Sequence, residues 1–474
     1  MVRSATTDCE DDDGKRKQGR PKSHCASIAA AYECCMNHRY LPLGLRRGTF
    51  HEMLRVAVLA AAAALAFAPA AGAWTTLTGG VQNTAIPSLL LTQAGTELAS
   101  FESQSAGTIS VSRNHGAAKV LVANDPIPGR TQLVQQPSGA IQLYFPNAQG
   151  VARLTSTDDG VSWTGPIQTQ SHTTGPVQSA TTMPDGTPLF AQDGTGFVNV
   201  FRGLNGETVK NVYTRCCGYH ESLAVDTTGL VQIAMYSNAD TDGATAYEPL
   251  GADLSPTATI PLKPVAEHEA PLVADRSGNT FLAWAPGYPG ATSVTVVPFR
   301  GGSPAGDGVK FQGSFGGADP HMALSVDPQD RVWIVWTQQG VLHAARSRSH
   351  GMHFGATVSV ALPGTVYELS TLGITGAADV LVNTGTSLAQ QDILPGLSVS
   401  VSKKTKKVGK KTVVSWWAQA LDDGFGVPGA TFTAGAHHAK GDGSGRANLS
   451  AAGFRPGPAK AAAAGYVGAA FRVP

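Results

Sequence analysis

Between residues 88 and 397 the chain alternates short apolar segments with turns marked by glycine or aspartate. Ser222 to Val225 is followed by a turn at Gly229 and then by Val231, Ile233 and Met235 at alternate positions. Ala323 to Val326, the turn at Asp330, and Val332, Ile334 and Val335 repeat the figure. Apolar residues at every second position predict strands with one buried face, and a Gly or Asp between two such runs predicts a tight hairpin. The same figure spans Ser88 to Gly95, Gln132 to Gly139, Ser179 to Gly186, Pro271 to Gly278 and Leu369 to Gly376. Its turns fall at 95, 139, 186, 229, 278, 330 and 376, so successive turns lie 43 to 52 residues apart. A repeat of that length, with room for about four strands, predicts propeller blades. Seven repeats predict a seven-bladed β-propeller over 74–397, six blades being the alternative, with Trp74 to Thr78 as an outer strand that closes the ring onto the last blade.

A second mark keeps the same register. Ser156-Thr-Asp158-Asp-Gly160-Val-Ser-Trp163 reads S-x-D-x-G-x-x-W, and Gly160 stands 21 residues after Gly139. Degenerate copies at Ser112 to Gly116 and Ser347 to Phe354 also place their glycine 21 residues after the turn. Ser156 to Trp163 resembles the Asp box of the sialidase (BNR-repeat) propellers, and the grammar of the repeat resembles theirs over about 310 residues. That resemblance implies a structural role for Ser156, Asp158, Gly160 and Trp163. They would hold the turn between the third and fourth strands, Asp158 accepting local N–H groups and Gly160 supplying a positive φ. A sialidase would further need an arginine triad, an early F/Y-R-I-P motif, an acid/base carboxyl and a Tyr/Glu nucleophile pair. No such early motif is present, and nothing local assigns Arg113, Arg130, Arg153, Arg202, Arg215 or Arg300 to a triad.

Strand direction turns the repeat into a prediction about a site. If the first strand of each blade is innermost and its turn lies on the lower face, the residues just before that strand ring the axis on the upper face. Those positions include Arg130-Thr131, Val177-Gln178, His220-Glu221, His268-Glu269, His321-Met322 and Tyr367-Glu368. His220, Glu221, His268, Glu269 and His321 are the expected ligand contacts. Glu221, Glu269, Tyr367, Glu368 and Arg130 are the candidates should the ring do acid/base chemistry, and His220, His268 and His321 should it hold a metal. Tyr367 and Glu368 are neighbours on a strand and should face opposite ways, which weakens their likeness to a nucleophile pair.

Two further motifs sit on the same upper face. Cys216-Cys217 can close only a strained vicinal disulfide, with free thiols or an intermolecular bridge as alternatives. Asn238-Ala-Asp240-Thr-Asp242-Gly243 begins like a calcium loop, but Pro249 stands where its twelfth-position Glu should be. Calcium at Asp240 and Asp242 is therefore the alternative to a solvated turn, and no other cofactor is expected.

Past residue 397 the repeat stops. Lys403, Lys404, Lys406, Lys407, Lys410 and Lys411 flank an alternating run from Thr412 to Trp417. The turn motifs from Val427 to Val467 resemble a bacterial Ig-like or carboxypeptidase-regulatory-like sandwich, which implies a spacer or attachment module over 398–474. At the other end, Arg46, Arg47 and Arg55 precede the apolar run Val56 to Ala68 and an Ala71-Gly72-Ala73 cleavage pattern. This reads as a signal peptide over 53–73, preceded by a misassigned or disordered start over 1–52. The expected location is secreted or envelope-associated, without stable membrane insertion.

Composition narrows the partners. With 35 basic and 34 acidic side chains the formal charge is +1, so nothing attracts a phosphate backbone and nucleic acid is excluded. A monomer is expected. The function these features point to is surface recognition of a glycan or other cell-surface ligand, with a sialidase-type glycoside hydrolase and a structural envelope protein as the competing classes.

Overall fold

The computed structural model describes residues 73–474 except 80–86, 104–106, 124–129, 174, 195–196, 214–218, 238–243, 263–268, 288–289, 314, 316–319 and 451–453. The leader 1–52, nearly all of the signal segment, Cys216, Cys217, Asp240, Asp242 and His268 therefore lie outside the described residues, as does the side chain of His220. Among the described residues there is no helix, and all regular structure is strand.

Strands from residue 75 to residue 393 pair into seven antiparallel sheets. Six are built from consecutive strands, as in Ser88–Leu91, Glu97–Ser103, Thr108–Arg113 and Lys119–Val122. The fifth carries an extra strand, because Ser303–Pro304 and Val309–Gln312 both pair with Ser293–Arg300. The last sheet takes Glu368–Ile374, Ala377–Asn383 and Ser387–Ile393 and borrows Thr75–Gly79 from the start of the chain as its outer strand. The indole of Trp74 donates to the carbonyl of Ala361 at 2.8 Å beside that closure. First strands touch in cyclic order, and Ser88–Leu91 meets Glu368–Ile374 to close the ring. This arrangement of antiparallel sheets is that of a β-propeller.

All seven turn residues read from the repeat adopt the left-handed conformation, with φ from 82° to 88° at the six glycines and 64° at Asp330. That region costs Gly nothing and is one that Asp tolerates, which is why these residue types recur there. Sheets adhere through the alternate apolar positions. Tyr144 stacks on Phe190 and Phe190 on Phe201, with ring centroids 4.8 and 4.7 Å apart, joining the second sheet to the third. Tyr247 on Phe299, at 3.9 Å, joins the fourth to the fifth. Each such ring removes roughly 150–250 Å² from water.

Residues 398–472 form two further sheets. One holds Ser398–Val408, Lys411–Asp422, Phe425–Gly426 and Arg446–Asn448; the other holds His437–Lys440, Thr431–Ala434, Pro458–Ala462 and Ala469–Arg472. Ala418, Ala420, Phe432, Ala461 and Val473 fill the core between them. The hairpin runs beyond this core, so its six lysines are exposed.

The module is bonded to the sixth propeller sheet. Arg346 and Asp422, both nearly inaccessible, form an ion pair, and the Tyr466 hydroxyl donates to Asp422 at 3.2 Å. The guanidinium of Arg346 also lies over the rings of Trp333 and Tyr466. Backbone bonds continue the contact, with Leu397 N–H on the Val467 carbonyl at 3.1 Å and Val467 N–H on Pro395 at 2.9 Å.

Candidate functional site

The inner strands are not regular where the ring was expected. Pairing slips between Val177 and Ser179 and again between Tyr219 and Ser222. A bulge leaves a residue unpaired and redirects its side chain. Here Gln178 and Glu221 turn toward the axis, where they line a cavity of about 200 Å³ together with Arg130, Gln132, Glu269 and Glu368. All seven sheets contribute to its wall through their first strands.

The charged groups at the axis interlock. Arg130 reaches Glu368, Nη2 to Oε2, at 3.5 Å. Glu269 holds His321 at 2.8 Å through Nδ1 and accepts the N–H of Met322 with its other oxygen. Gln178 donates from Nε2 to Asp193, and Gln132 donates to the Gln178 carbonyl at 3.1 Å. Neither oxygen of Glu221 has a well-aligned N–H or O–H donor among the described residues. Its neighbour is the Asp193 carboxyl, so a bond between the two requires one of them to hold a proton.

Burial drives these acids toward the neutral form. It raises Glu221 well above the usual carboxylate range, the charge of Asp193 adding to the effect, and it raises Asp193 as well. Glu368 is pushed up to about 7 by burial, against the pull of Arg130. For His321 burial works against charge, but the Glu269 carboxylate outweighs it and lifts the imidazole to about 9. Near neutral pH the cavity therefore presents Glu368 close to its midpoint and the Arg130 guanidinium, with the Asp193–Glu221 pair shifted toward protonation and the His321 imidazolium held on Glu269. Such a set can donate and accept several hydrogen bonds at once and can exchange a proton at Glu368.

Arg130, Glu221, Glu269 and Glu368 thus come together, with His321 on Glu269. Tyr367 does not join them. It is 40% exposed and its ring lies against Gly385, so the expected Tyr367 role at the cavity is corrected. Neighbouring residues on a strand point to opposite faces, and Glu368 took the inner one. Among the described arginines only Arg130 lines the cavity. Arg113 pairs with Asp159 at 3.3 Å, Arg153 is consumed by Gln142, Thr155 and Asn205, Arg202 bonds the Ala252 carbonyl, and Arg300 is exposed. Asp193 escaped the sequence reading because it ends a second strand; its signal was an acid at the upper end of Pro188–Gly194.

The segment Ser156 to Trp163 lies away from this cavity and makes a self-contained turn. The Ser156 hydroxyl accepts the Gly160 N–H at 2.9 Å and donates to Asp158. Asp158 accepts the N–H and hydroxyl of Ser162 at 2.9 and 2.6 Å, bonds that hold its carboxyl down to about 2. Trp163 closes the turn on the Gly160 carbonyl. A Cβ on Gly160 would meet Leu98 of the preceding sheet at 2.9 Å, so glycine is needed for contact as well as for φ. In the copy at Ser347 the serine still accepts Gly351 N–H at 2.8 Å, but Ser349 stands where Asp158 would. Its hydroxyl accepts the His353 N–H at 3.0 Å, as Asp158 accepts that of Ser162, and the C-terminal module adds a carboxylate beside it: Asp423 accepts from Arg348 N–H, Ser349 N–H and Ser349 hydroxyl at 2.7, 2.8 and 2.7 Å.

No family model and no curated protein matches the chain. Among solved structures, it is similar to virginiamycin B lyase from Staphylococcus aureus, in its inactive H270A form with quinupristin (TM-score 0.46, 12% identity, 67% of this chain and 98% of that one). It is also similar to the NanB sialidase from Streptococcus pneumoniae (0.44, 9%, 56% and 68%) and to an alpha-L-arabinanase from Penicillium chrysogenum (0.39, 12%, 68% and 99%). These are β-propeller proteins. At such scores and identities they carry nothing about activity, and the fold stands on the sheet topology of the chain itself.

Proposed function

We propose that this chain is an exported seven-bladed propeller that recognises the terminus of a glycan at the axis, with an Ig-like sandwich as a fixed attachment module. The cavity carries the reading: acid, guanidinium, amide and hydroxyl groups from successive sheets face one space of about 200 Å³. That is below the usual range for small-molecule sites, roughly 300–1,000 Å³, and suits one sugar ring rather than a chain. Neutral sugars fit its electrostatics better than sialic acid. Arg130, the one arginine lining the cavity among the described residues, is already engaged by Glu368, and His321 is held by Glu269. A sialidase-type hydrolase needs three arginines on one carboxylate, and among the described residues the cavity offers one.

The turn at Ser156 to Trp163 acts, on this reading, as a structural Asp box, remote from ligand. The test is a panel of terminal glycans presented to the purified chain, beside turnover of a fluorogenic sialoside. Expected are retention of neutral termini, at least tenfold weaker binding in Glu368→Gln and Arg130→Ala, and no sialoside turnover. Selective capture of sialylated termini, sialoside hydrolysis, or binding indifferent to both substitutions would overturn the proposal.

A further inference from the structure

The ring closes at a second cluster, on the face opposite the cavity mouth. Glu97 follows the turn of the first sheet, His115 lies in the turn between its third and fourth strands, and Asp379 follows the turn of the last sheet. His115 Nε2 lies 2.8 Å from Glu97 Oε2 and 3.6 Å from Asp379 Oδ2. One ligand atom from each of the three residues falls within 4.8 Å of the other two. Ligands bound tetrahedrally at about 2.1 Å stand about 3.4 Å apart, a spacing these distances bracket.

Two further observations separate this cluster from a simple ion pair. Asp379 is wholly buried, and its Oδ1 is sealed from solvent without a hydrogen-bond partner, while Oδ2 accepts from Gln390. Asp392 also stands near Asp379, so three carboxylates surround one imidazole. An acid-rich N/O donor set anchored on one buried carboxylate that an outer amide fixes is what a divalent transition metal selects. His115 and Glu97 remain partly exposed at 28% and 21%, leaving an entry path and room for water to complete coordination.

We propose that Glu97, His115 and Asp379 bind a zinc ion that clasps the first sheet of the propeller to the last. The comparable group Asp275, Asp330 and His350 lacks the same preparation. Its Asp330 is spent on Arg276 N–H and the Ser277 hydroxyl, and His350 is about half exposed.

The experiment uses the full purified chain, stripped with chelator and titrated with ZnCl2 by calorimetry and with Co2+ by visible absorption. One equivalent should bind with the spectrum of a tetrahedral N/O site, and zinc should raise the thermal midpoint. Glu97→Gln, which keeps the side chain's shape, should weaken zinc at least tenfold and abolish that rise. Gln390→Leu, which removes only the outer hydrogen bond, should weaken it by about 10–100-fold. No binding at millimolar zinc, or binding unchanged in both variants, would overturn the clasp; neither outcome bears on the glycan cavity.

Discussion

Replacing Ser349 by Asp would restore the box consensus in the sixth sheet, and by sequence logic alone it should stabilise. The structure demands the opposite. The Ser349 hydroxyl already accepts the His353 N–H at 3.0 Å, and beside it stands Asp423, 7% exposed and bonded to two backbone N–H groups and that same hydroxyl. A second carboxylate about 4 Å away repels Asp423 by roughly 4 kcal/mol at an effective dielectric near 20, and the lost hydroxyl bond adds about 1.5 kcal/mol. Outward rotation of the new side chain relieves part of this, leaving a net destabilisation of about 2–4 kcal/mol. Urea unfolding of the parent, Ser349→Asp, Asp423→Asn and the double variant measures it, read from midpoints at unchanged slope. The double variant should recover most of the loss, because the introduced carboxylate would then act as Asp158 does in the intact box. A single variant as stable as the parent, or a double variant no better than Ser349→Asp, would refute the exchange.

Three other outcomes follow from the geometry. Asp422→Ala strands the buried Arg346 guanidinium and should cost about 3–5 kcal/mol, whereas Arg346→Met with Asp422→Leu should be near neutral; denaturation together with proteolysis of residues 398–474 distinguishes them. Gly351→Ala drives a Cβ into the ring of Phe281 at a φ of 71° and should cost more than about 2 kcal/mol, while Gly424→Ala, with similar φ and open space, should cost about 1 kcal/mol by thermal melts. Stability of the axis should fall as pH rises. The folded pKa of Glu368 is raised to about 7 and that of His321 to about 9, so each contribution is complete below the unfolded values near 4.5 and 6.5 and is lost on passing the folded ones. The difference in melting temperature between parent and His321→Gln should therefore shrink from pH 6 to pH 9; a constant difference counts against the Glu269 pairing.

Much of the architecture was written in local residue choice. Glycine or aspartate recurred where φ must be positive, and alternation marked the buried faces, so strands, turns and the closing strand at Thr75–Gly79 were legible. That Arg130, Glu221, Glu269 and Glu368 meet at the axis followed from register alone, with His321 set behind Glu269. Tyr367 misled because counting back from a turn finds a position but not which of two neighbours faces inward. Asp193 was invisible for a different reason: it reaches the axis from a second strand, through a neighbour that only pairing brings close.

The sequence by itself determined the period, the turn conformations and the side of each sheet that carries polar residues, because these depend on backbone sterics and a two-residue repeat. Only the tertiary structure decided which charges meet. Glu97, His115 and Asp379, like Arg346 with Asp422 or Ser349 with Asp423, are joined by ring closure and module docking, contacts between residues far apart in the chain that no local pattern encodes.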